Sequence, residues 1–135
     1  ISGPTASGKS SFAIKLSKKV KGEIINADSM QVYKQLKILS ARPDKSNYQK
    51  IKHHLYGFQD VKKNFSTGNW LQLAVKKINE IQKRKKTPIL VGGTGLYFKA
   101  LTEGLVKIPK IPLRINRFYS CMNHYLYSYC LRKCQ

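Results

Sequence analysis

The chain has 135 residues, enough to bury one hydrophobic core, and its 41% hydrophobic content excludes a disordered or fibrous protein. Its net charge of +20 favours a polyanionic partner, most simply a nucleic acid, although 21 of the 26 basic residues are lysines and a general lysine bias is the alternative explanation. Because the sequence has no apolar run of membrane-spanning length and no signal-peptide pattern, we expect a cytoplasmic protein that does not cross a membrane.

A phosphate-binding motif lies at the start of the chain. Residues 3–10 read G-P-T-A-S-G-K-S and match the P-loop pattern G-x-x-x-x-G-K-[ST]. In such a loop the glycines let backbone N–H groups turn onto phosphate oxygens, the lysine adds positive charge and the final hydroxyl binds Mg²⁺. We therefore predict that phosphate is bound by Gly3, Pro4, Thr5, Ala6, Ser7, Gly8, Lys9 and Ser10, with Ser10 as the metal ligand.

The strand that normally leads into a P-loop is predicted to be largely missing. Only Ile1 and Ser2 precede the first glycine of the motif. Since a P-loop is the turn from a buried strand into a helix, we expect this chain to be trimmed at its front.

A helix and a strand are predicted to follow the loop. Residues 9–21 form the helix, and Gly22 is expected to end it. The apolar positions with helical spacing that support it are Phe12, Ala13, Leu16 and Val20. Residues 23–27 then read as a short apolar strand that ends at Asp28.

Asp28 is a candidate functional residue because of its place after that strand. Ligands of open α/β sheets bind at the carboxyl ends of the strands. An acid there serves as a general base, a metal ligand or a hydroxyl acceptor. The alternative is that Asp28 caps a short helix or turn over residues 29–36.

The middle of the chain predicts weaker elements. We expect a loop at residues 41–44, a helix at 48–53 and a strand at 55–58. Of the adjacent pair His53 and His54, one is expected to be a structural hydrogen-bonding residue and not a catalyst.

A clear amphipathic helix follows, with Ser66 or Thr67 as its cap. Its apolar face comprises Leu71, Ala74, Val75, Ile78 and Ile81. The helix ends in the basic run K-R-K-K of residues 83–86, which we expect to be a solvated helix end that favours the helix dipole.

The last predicted unit is a strand, a glycine turn and a helix. Residues 88–91 form the strand, Gly92, Gly93 and Thr94 the turn, and the helix runs to about Glu103. Thr94 is expected to donate to a phosphate oxygen, to cap the helix, or both. The alternation of strands and helices predicts an α/β fold: a P-loop NTPase-like parallel sheet with flanking helices, its first strand largely missing.

Three segments together resemble the tRNA dimethylallyltransferase (isopentenyl-tRNA transferase) family. The P-loop of residues 3–10 is similar to that family's own version. Residues 28–33, D-S-M-Q-V-Y, are similar to its D-S-x-x-x-Y segment, and residues 91–98, V-G-G-T-G-L-Y-F, are similar to its G-G-T-x-L-Y segment. Order and spacing agree as well, and the likeness covers about residues 1–117.

The resemblance implies transfer of a dimethylallyl group from dimethylallyl diphosphate to N6 of the adenosine next to the tRNA anticodon, with Mg²⁺ as cofactor. By that likeness Thr5, Lys9 and Ser10 hold the diphosphate. Asp28 accepts the proton of the adenine amine, and Thr94 helps to hold the diphosphate or the substrate interface. The implied tRNA-contacting residues are Asp28, Ser29, Met30, Gln31, Thr94 and Asn116. We expect tRNA and dimethylallyl diphosphate as partners of a monomer.

The resemblance also implies a domain organisation. Residues 1–106 correspond to a partial P-loop core, 107–117 to a proline-containing linker into a missing tRNA-binding region, and 118–135 to a divergent tail. Asn116 stands where the family usually has an arginine that contacts tRNA, and residues 39–43 read L-S-A-R-P where the family has G-T-[AG]-[KR]-P. Three cysteines lie in the tail and are predicted to be free thiols: Cys121, Cys130 and Cys134.

Two other functional classes stay open. One is a small P-loop kinase that binds ATP and phosphorylates a metabolite or nucleotide; such enzymes usually place arginines over the phosphates, whereas Arg42 is the only arginine between residues 11 and 83. The other is a non-catalytic basic remnant that binds nucleic acid. Because the leading strand and the tRNA-binding half are absent, we also expect this polypeptide to be inactive or unstable by itself.

Overall fold

Three parallel strands form the sheet of this chain, whose computed structural model describes residues 1–105. The strands are β1 (Gly22–Asn26), β2 (His53–His54) and β3 (Thr87–Val91), in the order β2-β1-β3. All five residues of β1 pair with β3, from Gly22 opposite Thr87 to Asn26 opposite Val91. The predictions on the linker, the tail, Asn116 and the three cysteines lie outside the described residues.

Ile1 and Ser2 lie along the free side of β3. The terminal ammonium of Ile1 donates to Leu90 O at 2.8 Å, and Gly92 N donates to Ile1 O at 3.2 Å. Ser2 pairs with Gly92 in the parallel sense. The two residues therefore extend the sheet beyond β3, in the position that a strand leading into the P-loop occupies.

Helices cover both faces of the sheet, as predicted for this α/β fold. Helix α1 (Lys9–Lys19) packs on one face, where its Ala13 and Ile14 meet Ile24 of β1. Helices α2 (Thr67–Lys83) and α3 (Gly95–Glu103) pack on the other face. Because neighbouring residues of a strand point to opposite faces, β3 supplies Ile89 and Val91 to the cluster under α1 and Leu90 to the cluster under α2 and α3. No helix within residues 1–105 is long and apolar enough to span a bilayer.

The buried face of α1 differs from the predicted one. Phe12 is 58% exposed and Val20 is 39% exposed, whereas Ile14 is buried. The apolar residues of this short helix define two overlapping faces. The face that contains Ala13 and Ile14 packs on the sheet, whereas the face that contains Phe12 and Val20 does not. The helix also ends at Lys19, since Lys21 takes a φ of 50°. Gly22 does not end the helix, because it is the first residue of β1.

Two of the weaker predictions for the middle of the chain are wrong. A 3-10 helix covers Lys45–Tyr48 and stops at Gln49, with φ of 46°, so residues 48–53 are not a helix. Residues 55–58 are not a strand, because β2 is the preceding pair of histidines and Leu55, with φ of 61°, turns the chain out of the sheet. Residues 29–36 form turns, and residues 41–44 form the predicted loop.

Helix α2 begins with a capping box. The Ser66 hydroxyl accepts from Asn69 N at 3.1 Å, and Asn69 Oδ1 accepts from Ser66 N at 3.1 Å. This settles the choice between the two predicted caps in favour of Ser66. Trp70 of α2 is fully buried and stacks on Tyr97 of α3 with ring centroids 4.2 Å apart. The α2–α3 layer is thus held by an aromatic pair that the predicted apolar face did not include.

The basic run after α2 holds a buried carboxylate. Glu23, in β1, is 1% exposed, and its carboxylate meets His54 Nε2 at 2.7 Å, Arg84 Nη2 at 2.7 Å and Lys86 Nζ at 3.1 Å. Burial is the largest effect on Glu23 and raises its pKa, but hydrogen bonds from these three side chains together outweigh it and lower the pKa to about 2. All four residues of the run are exposed, as predicted, but Arg84 and Lys86 also pair with Glu23, a role that the prediction did not include.

His54 is held in the same cluster, which agrees with the prediction that one histidine of the pair is structural. Its Nε2 lies 2.7 Å from Glu23 Oε2, so the ring is used in this buried cluster.

Candidate functional site

The P-loop adopts a conformation that turns its backbone inward. Ala6 and Gly8 have φ of 63° and 77°. Gly8 O then accepts from Phe12 N at 3.0 Å, which starts α1 directly behind the loop. The first N–H groups of a helix lack partners within it and carry its positive dipole end. The loop therefore leads directly into a helix start of the kind that binds anions, and phosphate binding by it stays a prediction.

A cavity of about 320 Å³ joins this loop to the carboxyl edge of the sheet. Its charged lining residues within the described chain are Lys9 and Asp28. The other lining residues are Thr5, Ala6, Ser7, Gly8, Ser10, Ser11, Gln31, Ser40, Ala41, Tyr56, Val91 and Gly92. Six of the eight predicted phosphate-binding residues, Thr5 to Ser10, thus line one space with the predicted base. Gly3 and Pro4 lie outside the lining, although Pro4 O accepts a hydrogen bond from Lys9 Nζ.

Asp28 presents a carboxylate to this cavity. Its Oδ1 accepts from Met30 N at 2.9 Å, a turn that the side chain makes with its own backbone. No helix follows Asp28, so it is not a helix cap, but this bond caps the turn that begins residues 29–36, as the alternative allowed. Within residues 1–105 the carboxylate has no ion-pair partner, unlike that of Glu23. An unpaired, half-buried carboxylate is suited to accept a proton from a bound group.

Asn26 is a site residue that the sequence reasoning missed. Its side chain is fully buried, and its amide accepts from Asp28 N at 3.0 Å while donating to Asp28 O and Leu55 O, each at 3.0 Å. The backbone carbonyl of Asn26 accepts from the indole N–H of Trp70 at 2.9 Å. The signal for it was present, since Asn26 is a polar residue inside the apolar strand pattern I-I-N-A.

Thr94 links the two strand ends instead of lining the cavity. Its Oγ1 accepts from Ser29 N at 2.9 Å and lies 3.2 Å from Ser29 Oγ, to which it donates. It is the N-cap residue of α3, as predicted, but its side chain makes no cap bond to the helix. Among residues 1–105, Thr94 and Ser29 therefore act as a pair behind Asp28.

The turn before Thr94 depends on close backbone contact. A Cβ at Gly92 would lie 2.0 Å from Ala27 O, which is backbone and has no room to move. Ala27 N donates to Val91 O at 2.8 Å, and Thr94 N donates to Ala27 O at 3.2 Å. The glycine turn thus allows the end of β3 to lie directly against the residue before Asp28.

The remaining wall comes from the segments around Gln31 and Tyr56. Gln31 Nε2 donates to Ser40 O at 3.0 Å, and Gln31 O accepts from Gly57 N at 2.9 Å. Burial, followed by the charges of Tyr48 and Asp28, raises the pKa of Tyr56, so its phenol stays protonated at neutral pH. The predicted contact residue Met30 is 50% exposed and lies outside this wall.

Arg42 does not point into the cavity. Its guanidinium donates to Tyr33 O at 3.0 Å and to Lys34 O at 3.4 Å, and a Cβ at Gly57 would lie 1.9 Å from it. The arginine therefore braces the backbone of the loop, and within the described residues no arginine lines the P-loop cavity. Between residues 11 and 83, the chain thus has no arginine free to form the lid that the kinase alternative needs.

Comparison with known proteins places this site in a family. Residues 31–128 match the family described as IPP transferase. The tRNA dimethylallyltransferase of Pelagibacter ubique is 71% identical over 114 residues, which are 84% of this chain and 36% of that relative. The tRNA dimethylallyltransferase of Parvibaculum lavamentivorans is 52% identical over 112 residues, 83% of this chain and 36% of that relative. The chain thus spans about a third of the length of these curated relatives.

Solved structures agree in fold. The tRNA delta(2)-isopentenylpyrophosphate transferase of Staphylococcus epidermidis matches with a TM-score of 0.75 at 35% identity, over 89% of this chain and 40% of that one. A eukaryotic dimethylallyltransferase acting on tRNA matches with a TM-score of 0.76 at 32% identity, over 84% of this chain and 29% of that one.

Proposed function

Since the chain belongs to the IPP transferase family, we propose that it forms the donor-binding and proton-accepting part of a tRNA dimethylallyltransferase. In this proposal the P-loop holds the diphosphate of dimethylallyl diphosphate, and Asp28 accepts the proton that N6 of the target adenosine loses. The target is the adenosine next to the tRNA anticodon. The observation that carries the proposal is the single cavity lined by both the P-loop and Asp28.

The proposed reaction is a substitution at carbon. The N6 amine of adenine forms a bond to C1 of the dimethylallyl group, and the bond from C1 to the diphosphate oxygen breaks. The amine proton passes to the Asp28 carboxylate, and the electron pair of the broken bond leaves with the diphosphate. An exocyclic amine is a weak nucleophile, so a positioned carboxylate assists the attack. The helix start and Lys9 stabilise the charge that gathers on the departing diphosphate.

The cavity suits the Mg²⁺ that the family implies. The Ser10 hydroxyl and the Asp28 carboxylate both line it and are hard oxygen donors of the kind Mg²⁺ binds. No group of three or more His, Cys, Asp or Glu side chains in residues 1–105 forms a metal cage of its own. This fits an ion that is shared with a diphosphate, with Ser10 as its protein ligand. Bound there, Mg²⁺ supplies positive charge next to the leaving group.

The proposal also covers the setting of the reaction. We also propose a monomer as the acting species, in the cytoplasm. The target base must leave its stack in the anticodon loop to reach a pocket of this kind. Gln31, in the cavity wall, and its neighbours Ser29 and Met30 are proposed to contact that base, together with Thr94. Asn116 is proposed as a tRNA contact on the resemblance alone.

Donor binding is the first test. We expect the purified chain to bind dimethylallyl diphosphate with Mg²⁺ in calorimetry, and Lys9→Ala to weaken that binding by about tenfold or more, since it removes a charge-assisted contact. Lys15→Ala, an exposed lysine of the same helix, is the matched control and should bind as the wild type does. ATP hydrolysis stimulated by a small metabolite, without binding of dimethylallyl diphosphate, would instead favour the kinase.

Transfer to tRNA is the second test. Asp60 is a matched control for Asp28, because its Oδ1 also accepts the backbone N–H two residues ahead, at 2.9 Å. Where the chain transfers the group, we expect Asp28→Asn to lower kcat by about 100-fold or more and Asp60→Asn to leave it unchanged. Equal rates for Asp28→Asn and the wild type would remove Asp28 from the proposed chemistry. Transfer by the unmodified chain would also contradict our expectation that this polypeptide is inactive by itself.

A further inference from the structure

We infer that Asn26 is a positioning residue that holds two walls of the P-loop cavity, those of Asp28 and Tyr56, at a set separation. The inference rests on the proposed function, because it gives Asp28 a reaction to be positioned for. It concerns a side chain that lies behind the cavity and does not line it.

The strand itself does not call for an amide at this position. Asn26 ends β1, after Ile24 and Ile25, and its register partner on β3 is Val91. A valine or isoleucine would suit a fully buried strand position, and an unsatisfied buried amide would be costly. The buried amide is satisfied because its oxygen accepts a hydrogen bond and its nitrogen donates two. All three bonds go to the segments that follow β1 and β2.

The first set of bonds fixes Asp28. Asn26 Oδ1 accepts from Asp28 N and Asn26 Nδ2 donates to Asp28 O, each at 3.0 Å. Both backbone groups of Asp28 are therefore held by one buried side chain. The direction of the Asp28 side chain into the cavity follows from its backbone, so Asn26 acts on the carboxylate without touching it.

The second bond reaches the opposite wall. Asn26 Nδ2 also donates to Leu55 O at 3.0 Å, directly before Tyr56. Leu55 has a φ of 61°, a left-handed conformation that is strained for a bulky side chain. The bond from Asn26 holds this turn in place, and the turn brings Tyr56 to the cavity. One buried amide is thus bonded to both segments that supply these walls, that of Asp28 and that of Tyr56.

The anchor is itself rigid. Asn26 is fully buried, and its backbone carbonyl accepts from Trp70 Nε1 at 2.9 Å. Trp70 stacks on Tyr97, with an angle of 12° between the rings. The backbone from which the amide projects is therefore held by a hydrogen bond, and the amide itself is held by packing, as a positioning group requires.

The test compares Asn26→Ala, which removes all three bonds, with Asn26→Asp, which keeps the acceptor for Asp28 N and removes both donors. Ile81→Val, a buried change far from the cavity, is the control for lost stability. We expect Asn26→Ala to speed hydrogen exchange of the Asp28 amide by about tenfold or more and to move the carboxyl ¹³C resonance of Asp28. Asn26→Asp should keep the Asp28 amide protected from hydrogen exchange, whereas the backbone amides of the turn at Leu55 should lose their protection. Ile81→Val should change neither the exchange of these amides nor the carboxyl resonance of Asp28.

Kinetics separate positioning from folding. In transfer assays we expect Asn26→Ala to lower kcat by about 10- to 100-fold, with KM for dimethylallyl diphosphate within about twofold, because the P-loop makes no bond to Asn26. Unchanged Asp28 signals, or an unchanged kcat despite altered signals, would overturn the inference. If the wild-type chain transfers nothing, as we expect of this polypeptide by itself, the Asp28 signals alone decide the role of Asn26, and binding of dimethylallyl diphosphate decides the proposed function separately. If Asn26→Ala does not fold, Asn26→Ser takes its place in both measurements.

Discussion

At the scale of single residues, the site depends on glycines that leave no space for a side chain, not even for a Cβ atom. Gly92 is the clearest of them, because its Cα lies directly against the carbonyl of Ala27. That contact sets β3 beside the residue before Asp28, so the shape of the cavity at this edge of the sheet depends on the missing Cβ. The glycine is required by space and not by φ, since its backbone conformation is not left-handed.

Gly92→Ala should therefore destabilise the chain by about 3 kcal/mol, the range of an overpacked core, because the clash is with backbone and not with a flexible side chain. Urea unfolding followed by circular dichroism measures the loss. Gly95→Ala is the matched control: nothing lies within 4 Å of its added Cβ, and it is the first residue of α3. It should change stability by less than about 1 kcal/mol. Equal losses for the two variants would show that the contact with Ala27 is not limiting.

The residues of the site differ in how far the sequence predicts them. The P-loop residues and Asp28 follow from a motif and from the rule that ligands bind at the carboxyl ends of strands, and the structure brings Thr5 to Ser10 and Asp28 into one cavity. Asn26 and Tyr56 could not be predicted in the same way. Their roles depend on hydrogen bonds and walls between segments some 30 residues apart, which no local pattern encodes.

At the scale of elements, the Glu23 cluster joins the strands β1 and β2 to the segment that connects α2 with β3. Its carboxylate lies on β1, His54 lies on β2, and Arg84 and Lys86 lie between α2 and β3. A buried carboxylate is stable only when it is paired in this way, and removing its partners leaves an uncompensated charge. The cluster therefore couples the amino-terminal ends of the strands, away from the P-loop edge.

The cluster predicts a defined loss of stability in acid. The pKa of Glu23 falls from 4.5 to about 2 on folding, so its contribution is complete above pH 4.5 and is lost as pH falls towards 2. We expect wild-type stability to fall by roughly 3 kcal/mol more across this window than that of Glu23→Gln, which has no carboxyl to titrate. Urea unfolding at pH 7, 5, 4 and 3 measures the difference. Glu103→Gln, an exposed carboxylate near Lys99, should keep the wild-type dependence, and the same dependence in Glu23→Gln would contradict the assignment.

The capping box makes a smaller prediction for α2. Ser66→Ala removes the acceptor for Asn69 N and should cost about 1 kcal/mol in urea unfolding. Ser66→Asp keeps a capping oxygen and should restore most of the loss. Ser46→Ala, at an exposed serine of the 3-10 helix, is the control and should have little effect. A loss in Ser66→Asp equal to that in Ser66→Ala would show that the cap bond is not the source of stability.

The elements that the sequence predicts well are the long and periodic ones. Helix α2 and the strands β1 and β3 fall within a few residues of their expected positions. The two-residue strand β2 did not, because its position is set by pairing of His53 with Ile24 and not by any pattern of its own. The face of α1 was misjudged for a similar reason, since the sheet and not the helix decides which face is buried.

At the scale of the whole molecule, charge dominates. All six acidic residues lie within residues 1–105, and four of them are in ion pairs: Glu23, Asp44, Glu80 and Glu103. Asp28 and Asp60 make none among the described residues. A chain of net charge +20 therefore has most of its lysines without an acidic partner, which is the distribution expected of a protein that meets a polyanion.

If tRNA is that polyanion, its affinity for the chain should depend steeply on salt. Lysines that neutralise phosphates release counterions, so we expect the affinity for tRNA to fall by about 100-fold or more between 50 and 200 mM KCl, linearly on logarithmic axes. Fluorescence anisotropy with labelled tRNA measures this. The affinity for dimethylallyl diphosphate should fall far less, because in the proposed function the P-loop holds it largely through backbone N–H groups and the start of α1.

Lys9→Ala separates the two kinds of binding. It removes one of the 26 basic residues, so the affinity for tRNA should change by less than about twofold, whereas that for dimethylallyl diphosphate should fall as described above. Heparin, a polyanion without bases, is the reference for charge alone. If heparin and tRNA bind equally well at every salt concentration, the basic surface gives attraction without selectivity. Choice of the target adenosine would then have to arise at the cavity. An affinity for tRNA that does not change with salt would contradict the electrostatic role of the lysines altogether.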